Sequence, residues 1–225
     1  MGFIQYVINK HAESITLAFG FLAFLACVLQ LYKGTRLIFL LLVPMLSYAQ
    51  ELYIEYYTGY MKLGNNHWIY NLFEIPILTM AAFAFYYYNN SRSQRRLFGI
   101  GFLILLVYHF GYVLFWGSVN KIDVIGICYA MIILGLMSYF YLVKLIETPE
   151  TGSSFRFLFW FSSASLVFYI GRIPITALTF GPINMSDSMF DKMYVINDVL
   201  YAAWYLLITL GILISSKWTK ASTSP

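Results

Sequence analysis

The sequence predicts an all-α integral membrane protein: one domain over residues 1–225, built as a bundle of seven transmembrane helices, N-terminus outside and C-terminus cytoplasmic. Three observations predict it. The chain is 60% hydrophobic and 11% charged, against about 45–50% and about 25% for soluble domains. Its mean hydropathy is +0.71, and a soluble fold of 225 residues could not hide that much apolar surface. The apolar residues also fall in long unbroken runs rather than the short alternating segments of a membrane barrel, and inside lipid a helix satisfies its own backbone.

Each run is near the roughly 20 residues that cross the hydrocarbon. They are 14–32, 37–57, 68–88, 97–116, 122–145, 157–178 and 194–215. Turn-forming residues separate them: Gly34 in the first link, Gly64-Asn65-Asn66 in the second, Asn89-Asn90 in the third, Pro149 and Gly152 in the fifth, Gly181-Pro182 in the sixth. No link is long enough for a separate domain, and no internal repeat is visible.

Orientation follows from the basic residues near helix ends. Lys33, Arg36, Arg92, Arg95, Arg96, Lys144, Arg156, Lys217 and Lys220 fall on one side, and Lys10, Lys62, Lys121 and Lys192 on the other. The richer side is read as cytoplasmic. The net charge of +4 is then a topology signal that calls for no nucleic-acid partner. No cleavable leader and no lipidation motif is read at the ends. Compact loops without a targeting segment suggest a bacterial inner membrane.

The residues that cost most to insert are the best guide to function, since ionisable groups in a span cost about 2.5–3.5 kcal/mol each and tend to face a bundle interior or water. Ser47, Glu51 and Glu55 share a face of the second span, with Gln50 beside them. His67, Asn71 and Glu74 share one on the third, at spacings of four and three. The fourth span offers His109 and Tyr112, the sixth Ser165, Tyr169, Arg172 and Thr176, the seventh Tyr194, Asn197, Asp198 and Tyr201. With the topology above, all lie in the outer half or near the midplane, and the inner half is almost wholly apolar.

The expectation is therefore a cavity open to the outside. Its ligand-binding residues are expected to be Glu51, Asn71, Glu74, His109, Tyr112, Arg172, Asn197, Asp198 and Tyr201, with Arg172 as internal cation and Tyr48, Tyr53, Trp68, Tyr70, Trp116 and Trp204 as further walls. Glu55, His67 and Asp123 read as solvated helix ends. The competing reading makes Glu74, Arg172 and Asn197 a structural ion pair and hydrogen bonds between helices, and the 20 Tyr and 20 Phe lipid-facing and belt material.

No residue pattern calls for a cofactor. The last span lacks the mid-helix lysine of a retinal protein, and no zinc helix motif, nucleophile elbow or glycine-rich phosphate loop is present. A metal held by His67, Glu74 and His109 is a minor alternative, and Cys27 and Cys128 read as small apolar fillers. The function expected is a small-molecule sensor or receptor-like module. Its partners would be the bilayer, a small ligand, and a cytoplasmic or membrane protein that receives a helix shift. A small-solute or ion transporter is the alternative, and an intramembrane enzyme acting on a lipid or isoprenoid the second alternative.

Overall fold

The computed structural model describes residues 2–32, 37–57, 67–88, 91–112, 122–147, 153–180 and 186–221. The link residues Gly34, Gly64, Asn65, Asn66, Asn89, Asn90, Pro149, Gly152, Gly181 and Pro182, the wall residue Trp116 and the side chain of His67 lie outside them.

Within the described residues, every apolar run is helical. The seven among the described residues are α1 (Gly2–Tyr32), α2 (Ile38–Glu55), α3 (67–88), α4 (Arg92–Gly111), α5 (Val124–Glu147), α6 (Ser153–Phe180) and α7 (Asp187–Ala221). Several begin before the apolar run does. α4 takes in Arg92, Arg95 and Arg96, and α7 takes in Asp187–Lys192, because a backbone helix continues through polar residues that hydropathy does not register.

Five helices are each long and apolar enough to cross a membrane, over Ala12–Leu31, Ile38–Glu55, Val124–Glu147, Arg156–Phe180 and Asp187–Ser215. This is a multi-pass membrane protein. α3 and α4 do not reach that standard within the described residues. α4 spends its first turn on arginines, and α3 is interrupted. The α3 interruption is a π segment, Tyr70–Glu74, between short α-helical His67–Ile69 and Ile75–Tyr88. Pro76 follows at once. It has no N–H to give the preceding turn and its ring crowds that turn's carbonyl, so a locally widened turn is a natural accommodation.

Six helices close into a ring: α1 packs on α2, α2 on α3, α3 on α5, α5 on α6, α6 on α7, and α7 back on α1, with α4 resting outside against α3 and α5. Small residues let the backbones approach. A side chain at Gly211 of α7 would meet Trp160 Cβ of α6 at 2.6 Å, and one at Gly20 of α1 would meet the Tyr48 ring of α2 at 2.5 Å.

Along the bundle axis the two halves differ. One half is filled by apolar side chains, among them Ala81, Ala82, Phe85, Met137, Phe161, Ile208 and Ile212, each no more than 3% exposed. Phe85 of α3 meets both Tyr141 of α5 and Phe161 of α6 at 5.9 Å between ring centres. The other half holds the early residues of α1, α3 and α7 and the late residues of α2 and α6. Most of the buried charge is there.

Candidate functional site

The foundation of the polar half is a strap of four side chains on four helices. Arg172 Nη1 of α6 donates to Glu74 Oε1 of α3 at 2.6 Å. Gln50 Nε2 of α2 donates to the other oxygen of Glu74 at 3.2 Å, and Arg172 Nε donates to Asn197 Oδ1 of α7 at 3.2 Å. The two ion-pair side chains are only 7% and 4% exposed. Such a pair persists in a low-dielectric interior only with good geometry and further hydrogen bonds on each partner; here both partners have them. The guanidinium also lies over the Tyr201 ring at 4.7 Å and the Phe168 ring at 5.4 Å, favourable placements for a cation on an aromatic face.

Beside this strap opens a cavity of about 270 Å³. α1 contributes Glu13 and Thr16, α2 Glu51 and Glu55, α3 Tyr70, α6 Arg172, Thr176, Thr179 and Phe180, and α7 Asp191, Tyr194, Asn197, Asp198 and Tyr201. The Tyr201 hydroxyl lies within hydrogen-bonding reach of the Glu51 carboxyl, and the carboxyls of Glu13 and Glu55 lie within hydrogen-bonding reach of each other. The Thr16 hydroxyl lies 2.8 Å from the carbonyl of Asp198 and 3.1 Å from that of Ala12, tying α1 to α7. Glu13, Glu55 and Asp191 are exposed, Glu51 and Asp198 half-buried, and Arg172 and Tyr201 buried, so polarity grades from rim to floor.

Of the residues expected to bind ligand, Glu51, Arg172, Asn197, Asp198 and Tyr201 line this cavity. Glu74 stands directly behind it, committed to Arg172 and Gln50. Asn71, His109 and Tyr112 are elsewhere, around Asp123 at the start of α5. The Asp123 N–H donates to Asn71 Oδ1 at 3.4 Å, and Tyr112 stacks on Tyr108 at 6.4 Å. His109 shares with Asp123 a separate space of about 10 Å³. The shared face expected of Asn71 and Glu74 assumed α-helical spacing. The π turn closes i→i+5 bonds and advances each residue through a smaller angle, so residues three apart diverge and one expected site becomes two clusters.

Asp123 is also not a solvated helix end. It is 3% exposed and caps α5, with Oδ1 accepting from the Gly126 N–H at 2.9 Å and the Tyr108 hydroxyl at 3.2 Å. Its Oδ2 and the Nδ1 of His109 are buried and have no partner among the described residues.

The expected walls need correction too. Tyr70 and Tyr201 line the cavity, but Tyr48 and Trp204 are buried core residues, and Tyr53 meets Trp68 edge to face at 6.0 Å. The α1 contribution was not anticipated, since Glu13 precedes the apolar run by one residue. Its spacing of three from Thr16 was the available signal. No three His, Cys, Asp or Glu among the described residues are placed to hold a metal ion, and Glu74 and His109 belong to different clusters.

No protein-family model, curated protein or solved structure matches this chain. The site must therefore be read from its own chemistry. A concave, part-apolar space with a few convergent polar groups is the usual form of a small-molecule site. The strap beside it links four helices, so anything that moves Arg172 or Asn197 is felt on α2, α3, α6 and α7 together.

Proposed function

We propose that this is a small-molecule sensor or receptor-like module. All seven helices cross the membrane of the cell, a bacterial inner membrane on this reading, with the cavity open to the outside and the C-terminus in the cytoplasm. The observation that carries the reading is the 270 Å³ cavity set directly on the buried Arg172–Glu74 strap. Ligand contact at Asn197, Arg172 or Tyr201 bears on the one network that joins four helices. The apolar filling of the opposite half supports sensing over passage, because it offers a solute no second polar mouth. A helix displacement transmitted to a cytoplasmic or membrane partner is the output such a bundle is built to give.

Purified protein in lipid nanodiscs tests this. Thermal stabilisation by a small molecule, lost in Asn197→Ala and unaccompanied by flux of that molecule into proteoliposomes, is the expected result. Sustained uptake of it would replace sensing with transport. For orientation, Glu55→Cys in a Cys27→Ala/Cys128→Ser background should react with an impermeant maleimide added to intact cells. Reaction only in inverted vesicles would reverse the topology.

A further inference from the structure

We propose that the cavity takes a small organic ammonium ion, an inference that rests on the binding-module reading and narrows it to one chemical class. Two features of the cavity agree on that class.

The first is charge. Glu13, Glu51, Glu55, Asp191 and Asp198 surround the space, and Arg172 is the one cation among its described lining residues. That cation is already engaged: Glu74 holds its Nη1 and Asn197 its Nε, and its face is covered by Tyr201 and Phe168. Its Nη1 and Nε are thus unavailable to an anionic ligand, and the acidic groups outnumber it around the space, with Arg172 attracting Glu51 and with Glu13 and Glu55 close enough to share one proton.

The second is the wall. Tyr70, Tyr194 and Phe180 are distributed round the same space. Aromatic faces beside carboxylates form the standard surrounding for an ammonium group, which gains from the ring quadrupole and from charge-assisted hydrogen bonds together.

The test uses matched trios. n-Butylamine, cyclohexylamine and 2-phenylethylamine are each compared with the isosteric alcohol (butan-1-ol, cyclohexanol, 2-phenylethanol) and the matched carboxylate (pentanoate, cyclohexanecarboxylate, 3-phenylpropanoate). Binding is read by thermal shift and isothermal titration on the full chain in nanodiscs. The expected result is that at least one amine binds about tenfold or more tightly than its alcohol, that the carboxylate does not bind, and that the preference is lost in Glu51→Gln. Asp198→Asn serves as a second variant should Glu51→Gln fail to fold, and lowers the same preference. If an alcohol or carboxylate binds as tightly as its amine, the cation assignment falls and the binding-module reading stands. If none of the nine compounds binds, the cation assignment falls, and the binding-module reading falls with it only if a broad small-molecule library screened by the same thermal shift also yields no stabilising compound.

Discussion

The two polar clusters draw on the same residue types and differ in what surrounds them. Around Arg172 the charges are paired, every strap member has a partner on another helix, and a 270 Å³ space lies alongside. Around Asp123 the carboxylate is spent on capping α5, two buried polar atoms face each other's space without partners, and that space is about 10 Å³, about the volume one water occupies. One cluster can admit a ligand while its framework stays bonded. The other is a joint between α3, α4 and α5 whose polar atoms serve packing. Polar residues in a span are thus an ambiguous signal, and room beside a satisfied network separates the two meanings.

The largest effect that would break this comparison lies in the strap. Replacing Glu74 by Ala leaves Arg172 buried without its ion-pair partner, and removing one member of a buried pair costs about 3–5 kcal/mol. Denaturation of detergent-solubilised protein should show a loss of that order, with Arg172→Met similar. The double replacement Glu74→Met/Arg172→Met should lose less than the sum of the two, because neither charge is then stranded. Full additivity would mean the pair does not hold the helices together.

In the joint, the steric margin is the sharper probe. A Cβ at Gly126 would collide with the Asp123 carboxylate and come within 2.6 Å of the Tyr108 ring. Gly126→Ala should therefore destabilise by about 1–3 kcal/mol, the usual range for overpacking, despite being an otherwise helix-favouring change. Next in size comes Asp123→Ala, which removes the α5 cap at a cost of about 0.5–2 kcal/mol. Both variants should leave ligand affinity at the cavity unchanged, measured by titration with whichever ligand the wild type binds. A change in affinity as large as that of Glu51→Gln would merge the two clusters into one site.

Much of this is legible in the amino-acid sequence. All seven helices are, because hydropathy and the backbone's need to bond itself point the same way. Their ends are not, as with Arg92–Arg96 and Asp187–Lys192, since polar residues can prolong a helix. Glu51, Arg172, Asn197, Asp198 and Tyr201 line one cavity, and each sits on an α-helix whose face can be read by counting. Asn71 was misgrouped with Glu74 because no periodicity rule announces the π segment before Pro76. Glu13 gives no such signal because it falls just outside an apolar run. The role of Asp123 is not legible in the sequence, because burial at a helix start depends on what packs over it, here Tyr108 of α4.

The smallest expected effect is also the most discriminating. His109 Nδ1 is a buried polar atom with no partner among the described residues, and a buried polar group left unbonded carries a desolvation cost of about 1–3 kcal/mol. His109→Phe removes that atom and keeps a ring of similar shape against Leu105 and Ala130, which bound the same space. The loss should then be near zero, or the protein should be stabilised by up to about 1 kcal/mol, with ligand affinity untouched. Were His109 part of a binding or proton-handling site, the same change would instead lower affinity or output at unchanged stability. A melting curve and one titration on a single variant therefore decide whether the Asp123 cluster is only a joint.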